Sequence, residues 1–454
     1  MAKTIPTKWL VLIAIGTGTF MTALDASVVN IILPILKESF NSSVATIEWV
    51  VTVYLLVISG MLLTFGRLGD LKGHKKIYLL GFGLFVIFSG LSGAAWSPTS
   101  LVIFRAMQAF GGAMLASNSA AIVTSNFPAN ERGRAFGLIS TMTYLGLTVG
   151  PVLGGWLTHV INWRLVFYIN VPIGLLAMTL SLRFIPKDNP VGNDQQFDVL
   201  GAGLFVAGLS SLMLGLNKGA EWGWGSPIVI GLLSSSVVLL YIFFQVERKA
   251  PDPMLDLNLF RSQVFTYSVL SSVLNYIAIY SVIFLMPFYL IQGRGFEPST
   301  AGLILTIQSA LMAITAPFSG HVSDRIGSRL PGMIGLGTMS IGLLVLSTIG
   351  DLTGLWVIVL GLAIIGFGTG SFISPNTSAL MGAVPKSQQG IASAMQAESR
   401  SFGMVLGIGL AGAIYTTQLA TNTPQALFIG VDKGFQAAAM VAALGVITSY
   451  FKKK

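Results

Sequence analysis

The chain divides into about fourteen apolar segments, each long enough to cross a bilayer as a helix. They run near 9–33, 47–68, 77–96, 100–126, 135–158, 165–185, 197–217, 227–246, 264–291, 299–323, 331–350, 353–381, 391–419 and 433–451. In hydrocarbon every backbone N–H and C=O needs a partner inside the protein, so such a chain folds as a bundle of spanning helices. Only 9% of its residues are charged, where a soluble protein carries about a quarter. The expected class is therefore an all-α integral membrane protein. No small-residue cleavage site follows the first apolar run, which reads as a retained span and not as a removed signal.

An even number of spans puts both termini on one side, and lysine and arginine decide which. With a cytoplasmic N-terminus, nineteen of the 26 basic residues fall in inner segments and five, Lys37, Arg164, Lys218, Arg294 and Lys433, in outer loops. The expectation is a multi-pass protein of the cell membrane with both ends cytoplasmic. The same distribution accounts for the net charge of +9 without nucleic acid. There is no cysteine, and the three histidines, His74, His159 and His321, are scattered. Thiolate chemistry and disulfides are excluded, and a metal site has poor material. With no paired-histidine motif and no Walker loop either, the sequence argues against an enzyme.

Two stretches of loop are related. Gly66 to Lys76 reads Gly-Arg-Leu-Gly-Asp-Leu-Lys-Gly-His-Lys-Lys, and Gly320 to Arg329 reads Gly-His-Val-Ser-Asp-Arg-Ile-Gly-Ser-Arg. Gly66, Asp70, Gly73 and Lys75 fall opposite Gly320, Asp324, Gly327 and Arg329, and Arg325 follows the second aspartate. A charged, glycine-punctuated loop that recurs in an apolar chain signals two related halves. Its glycines permit a tight hairpin, and its aspartate can accept from backbone donors at a neighbouring helix start. Pro128, Gly133, Ala135, Gly146, Gly150 and Gly155 likewise match Pro385, Gly390, Ala392, Gly403, Gly407 and Gly412 at one offset. The expected organisation is a six-helix bundle over 1–186, two inserted helices over 197–246 and a second six-helix bundle over 262–454. The inserted spans read as accessory, with no buried charge.

Charges inside spans are costly and mostly face a protein interior or a water path. Asp25 lies roughly 13 Å below one end of the first span, and Arg105 roughly 8 Å into the fourth span from the same side. Those depths are compatible with a pair that serves either a proton step or helix packing. The position matching Arg105 in the second half is Leu362, so the basic group is confined to the first half. Glu398 lies in the thirteenth span, where it could meet a cation, a proton or only water. Arg400, two residues on, does not share its face. Glu48 reads as an interfacial residue.

The fifth span carries Gly146, Gly150, Pro151, Gly154 and Gly155. Glycines four apart make a flat face for close packing, and proline bends a helix, so this span is a candidate hinge. The matched glycines of the thirteenth span point to a surface shared by the two halves. Met21, Tyr54, Asn118, Met142, Asn275, Tyr280, Gln308 and Asn376 are candidates for lining a cavity. Methionine and aromatic side chains suit amphipathic or cationic ligands.

Together these residues resemble the major facilitator superfamily, and within it the fourteen-span drug/proton antiporter branch. The resemblance covers essentially the whole chain. Leu24 to Pro34 is similar to the branch's first-span signature, Gly66 to Lys76 to the loop motif after the second span, and Arg105 to Gly111 to the fourth-span motif. Gly146 to Gly155 resembles the fifth-span antiporter motif, and Asn162 to Gly174 and Phe197 to Gly201 resemble further branch-typical stretches. Leu71, His74 and Ala109 depart from the family pattern. The resemblance implies alternating access driven by inward proton flow, with no cofactor. It implies proton coupling through Asp25 and Arg105, gating through Asp70, and cargo that is small, amphipathic and often cationic. Export of a lipid or cell-envelope metabolite on the same fold, or a membrane sensor that moves nothing, stands as the alternative.

Overall fold

The computed structural model describes residues 7–160, 162–187, 197–419 and 425–452. Among them, fourteen helices are long and apolar enough to cross a membrane. In the first half these are α1 (Thr7–Ser39), α2 (Val44–Lys72), α3 (His74–Gly93), α4 (Pro98–Asn126) and α5 (Arg132–Val160), followed by a single turn, Leu165–Tyr168, that runs into α6 (Asn170–Phe184). Two inserted helices follow, α7 (Val199–Trp222) and α8 (Pro227–Glu247). The second half holds α9 (Gln263–Pro287), α10 (Pro298–Ile326), α11 (Arg329–Leu346), α12 (Leu355–Gly382), α13 (Gln389–Leu419) and α14 (Ala426–Tyr450).

Local chemistry sets several helix ends. Ser43, Ser97, Asp198, Ser226 and Ser262 cap helix starts with side-chain oxygens, which satisfy backbone donors that no helical bond reaches. The α2–α3 and α10–α11 turns need a left-handed residue, which Gly73 (φ 95°) and Gly327 (φ 84°) supply. The two halves thus turn on equivalent glycines.

Two six-helix bundles result, and one apolar cluster runs from the first half through the inserted helices to Phe265, Leu380 and Ile391 of the second, while others fill the rest of each half. The bundles meet mainly where α5 packs on α10 and α12, and where α13 packs on α2 and α4. Helix α7 lies against α2 and α13, while α8 packs against α7. The expectation of no buried charge in the inserted helices is overturned. Lys218 is buried on α7 and donates to Glu48 Oε2 on α2 at 2.8 Å. Glu247, at the end of α8, is buried and accepts from the Leu255 N–H at 3.0 Å. Lys218 therefore belongs to a helix and not to an outer loop, and Glu48 is the partner that fastens α7 to the first half.

The glycine faces also settle differently from the expectation of a surface shared between halves. A Cβ on Gly146 would meet Phe20 O at 2.7 Å and Ala23 Cβ at 2.8 Å, and one on Gly150 would meet Ser27 Oγ, all on α1. Gly403 and Gly407 press in the same way on Tyr276 and Ile277 of α9. Each face packs on the first helix of its own half. Ser27 Oγ donates to Gly146 O and Ser281 Oγ to Gly407 O, both at 3.2 Å, so even the polar contact is repeated. A Cβ on Gly155 would meet nothing, so this glycine serves no close approach here. Pro151 falls within α5, and its side chain lies outside the described part of the structure.

Candidate functional site

Asp25 and Arg105 meet in the interior of the first half. Arg105 Nη1 donates to Asp25 Oδ2 at 2.7 Å and to Gln108 Oε1 at 2.8 Å. Gln108 Nε2 donates to Asp25 Oδ1 at 3.1 Å, and Asn170 Nδ2 to the same oxygen at 2.8 Å. Asn170 Nδ2 also reaches Ser89 Oγ, which donates to Phe167 O. Asp25, Arg105, Gln108, Asn170 and Ser89 are at most 1% exposed, so these contacts form away from bulk water. The guanidinium carbon of Arg105 stands 4.1 Å from the centroid of the Tyr54 ring, a cation–π contact strengthened by its desolvation. Tyr54, expected to line a cavity, is thus the floor on which the arginine rests.

Burying an ion pair costs several kcal/mol per ion, offset only where geometry is good and the remaining lone pairs find donors. Three side-chain donors meet that condition on the two oxygens of Asp25, while Arg105 Nε and Asn170 Oδ1 have no partner among the described residues. The sequence placed Asp25 and Arg105 at compatible depths. It did not show that Asn170 and Ser89 would join them, although Asn170 lies within a stretch that resembles the family. Partners contributed by a third and a fourth helix depend on how helices pack, which depth along one helix does not report.

A second constellation closes one end of the bundle. Asp70, at the end of α2, accepts from the Gly390 N–H at 2.8 Å and the Ile391 N–H at 3.1 Å, both at the start of α13. Asp324, at the end of α10, accepts from the Gly133 N–H at 2.7 Å and the Arg134 N–H at 3.0 Å, at the start of α5. Each aspartate therefore caps a helix of the opposite half, where orphan N–H groups and the helix dipole favour a negative charge. The glycines let the backbones close up. A Cβ on Gly66 would sit 2.5 Å from Gly390 O, and one on Gly133 would sit 2.3 Å from Gly320 O. Ser374 Oγ donates to Gly133 O at 2.5 Å. With both clamps engaged, the structure is of a state closed at this end. His74 Nε2 lies 3.4 Å from Asp70 Oδ1, so a ring occupies the position where the loop departs from the family pattern. Lys75 Nζ donates to Leu182 O at 2.9 Å and bridges α3 to the last turn of α6. Arg325 is exposed.

The remaining candidates scatter. Asn118 faces no cleft: its amide donates to Phe65 O and Met114 O, and its Oδ1 faces His74 Nδ1 at 2.9 Å. Asn376 is bound to Ser268 O and to the Nζ of Lys452. Met21 is fully buried beside Gly174, and Met142 packs near Gly16. Gln308 is nearly buried on α10. Neither polar atom of buried Asn275 and neither carboxyl oxygen of buried Glu398 has a hydrogen-bond partner among the described residues. Tyr280 accepts from Arg400 Nε at 3.4 Å.

Two six-helix bundles that grip each other's helix starts through aspartates on repeated helix ends, with an ion pair inside one of them, define a two-half membrane transporter. The family model described as Major Facilitator Superfamily matches residues 15–408 and 268–451, and the chain belongs to that family. Over 453 residues it is 32% identical to the riboflavin transporter RibZ of Clostridioides difficile, covering 98% of both chains. It is 34% identical to the multidrug resistance protein Stp of Mycobacterium tuberculosis, over 92% of this chain and 77% of that one. The tetracenomycin C resistance and export protein of Streptomyces glaucescens is 29% identical over the same shares. Among solved structures, the human organic anion transporter MFSD10 superposes with a TM-score of 0.73 at 14% identity, covering 98% of this chain and 100% of that one. The xylose symporter XylE superposes with a TM-score of 0.67 at 15% identity, over 96% and 94%. At that level of identity the structural matches speak for the fold alone.

Proposed function

We propose that the protein is a proton-coupled antiporter that exports amphipathic small molecules by alternating access, with the clamped end facing the cytoplasm. The observation that carries the reading is the buried Asp25–Arg105 pair, with three side-chain donors on the two oxygens of Asp25. A proton on Asp25 removes the charge that holds Arg105, and the guanidinium, still held by Gln108 and stacked on Tyr54, is left to find a new partner. Loss of one member of a buried pair costs about 3–5 kcal/mol, enough to drive a change of packing in a bistable bundle. The clustering of lysine and arginine at the clamped end supports its cytoplasmic orientation, and the multidrug resistance and export proteins among the relatives support the cargo class.

The test is flux in proteoliposomes under an imposed pH gradient, read as movement of a fluorescent amphipathic dye together with collapse of the gradient. Wild type is expected to move dye and dissipate the gradient, and Asp25→Asn to do neither while still folding and inserting. An Asp25→Asn protein that works at the wild-type rate would remove Asp25 from the coupling step.

A second reading, export of a lipid or an envelope metabolite, is favoured by one feature. An apolar groove of about 440 Å³ opens between α7 and α13, lined by Leu216, Trp224, Val405, Leu406, Gly409, Leu410 and Ala413. A lateral entry for an acyl chain would run there. The relative named as a riboflavin transporter supports a metabolite as cargo.

A further inference from the structure

Arg400, like Glu398, is a charged side chain deep in the second half that the coupling reading leaves unused. It lies on α13 about 17 Å from the helix start, at the 1.5 Å rise of an α-helix. Its Nε donates to Tyr280 OH on α9 at 3.4 Å, and Tyr144 of α5 and Tyr276 of α9 lie within electrostatic reach of its guanidinium. Tyr276 and Tyr280 are one turn apart on one face of α9, with ring centroids 6.5 Å apart. Tyr144 belongs to the opposite half, so the cluster straddles the seam between the two bundles. Although deep in the protein, Arg400, Tyr276, Tyr280 and Gln396 each keep part of their surface accessible, while Tyr144 is buried in the apolar core against which Tyr276 and Tyr280 pack.

Two features of the cluster point to a ligand. Arg400 forms no ion pair with a carboxylate among the described residues, where Asp25 carries the charge of Arg105. The acid closest to it in sequence, Glu398, is two residues away and on another face of α13. The hydrogen bond from Nε leaves both terminal nitrogens, with four N–H donors, without a partner among the described residues. Gln396, one turn before Arg400 on the same face, donates to Ser272 Oγ at 3.3 Å and leaves its own buried Oε1 without a donor. A permanent cation with a planar fork of unspent donors, ringed by tyrosines, is the complement of an oxyanion attached to an aromatic or apolar body.

We infer that Arg400, with Tyr144, Tyr276 and Tyr280, is the cargo site, and that it selects amphipathic anions, meaning compounds that carry a carboxylate, sulfonate or phenolate beside a flat ring. This rests on the transporter reading above and refines its cargo. It departs from the cationic cargo that the methionine and aromatic residues led one to expect. A lipophilic cation would meet a like charge in this site, which pairs with no carboxylate among the described residues.

The test uses two permanently charged probes with one ring system, naphthalenesulfonate and naphthylmethyl-trimethylammonium. Each is labelled and equilibrated by dialysis with the full-length protein in nanodiscs, with no pH gradient. Wild type is expected to bind the sulfonate about tenfold or more tightly than the ammonium, the difference of a charge-assisted fork. Arg400→Gln should erase that preference, Arg400→Lys should keep part of it, and Tyr280→Phe should weaken sulfonate binding several-fold while the ammonium is unaffected. Monodisperse elution of each variant separates loss of binding from loss of fold. A wild type that binds the ammonium as tightly as the sulfonate, or binds neither, would overturn the inference. So would an Arg400→Gln protein with an unchanged preference. The preference is a ratio of two affinities measured at one pH with no gradient, so it does not require transport. Failure of the coupling reading in the flux assay therefore leaves this measurement unaffected, and the reverse also holds.

Discussion

Asp25 receives three side-chain hydrogen bonds, and they are not equivalent. Arg105 brings charge, whereas Gln108 and Asn170 bring only amide donors to the other oxygen. Hydrogen bonds to a charged group contribute about 1.5–3 kcal/mol each. Asn170→Ala is therefore expected to slow gradient-driven transport by about tenfold, less than Asp25→Asn does, with Gln108 still in place. Initial rates in proteoliposomes at matched protein density check the ranking. Arg105→Lys keeps the charge but loses the planar guanidinium, whose Nη1 donates to both Asp25 and Gln108 and whose face stacks on Tyr54. Transport near the wild-type rate in that variant would mean that charge alone suffices. Lys452, beyond the end of α14, offers a pH effect separate from transport. Burial pulls its ammonium down from the ordinary 10.5 to about 7. The unfolded chain therefore holds a proton there that the folded protein does not, and wild type loses stability as pH falls from 10.5 towards 7. The melting temperature of Lys452→Met minus that of wild type should widen over that interval and level off below it.

At the scale of elements, α5 and α13 do the same work in opposite halves, and each starts on an acid that the other half provides. A carboxylate at a helix N-terminus contributes up to about 2 kcal/mol in a partly buried setting, so loss of one clamp shifts the closed population by roughly tenfold. Asp70→Asn and Asp324→Asn should each raise thiol labelling of a single cysteine introduced at Met395, one turn inside the Asp70 clamp, and the double variant should raise it further. The native chain has no cysteine, so the introduced thiol is read without background. The elements were legible from the sequence because length and apolarity define a spanning helix and because the loop repeat aligns the halves. Which faces meet was not legible. Gly146 and Gly150 announced a flat surface, but only packing shows that it meets α1, and Asn118 had the depth of a cavity residue while pointing at Phe65 O. Sequence spacing gives position along a helix well. The neighbour that a side chain faces depends on how six helices are arranged around it.

For the whole molecule, closure at the clamped end depends on backbone meeting backbone. Gly320 and Gly133 approach so closely that a Cβ on either would strike the other's carbonyl. Gly133→Ala should therefore disfavour the closed state, leave the protein open at that end and abolish net export, while binding at the opposite end persists. Trapping by introduced cysteine pairs across α5 and α10 checks it: cross-linking in wild type and none in the variant is the expected result. The inserted helices hold to this body through Lys218 and Glu48 and through the apolar face of α7. Their charged contact was missed because Lys218 reads, in sequence, as the edge of a loop. The ion pair inside the first half was foreseen, whereas the cluster around Arg400 was not, since its three tyrosines come from two helices far apart in the chain.

The clamps have an asymmetry of another kind. On one side of each grip is a side chain, and on the other only peptide N–H groups. Replacing residues one by one can expose Asp70 and Asp324 but not Gly390, Ile391 or Arg134 as donors, because every amino acid but proline brings the same N–H. The donor role of these N–H groups is thus nearly invisible to mutational scanning, which reports Gly133 and Gly390 only through the space a Cβ would take. Swapping single amides for esters by chemical ligation would be the way to see it. It also means that either half can drift in sequence at these helix starts without loosening the other, provided the glycine stays.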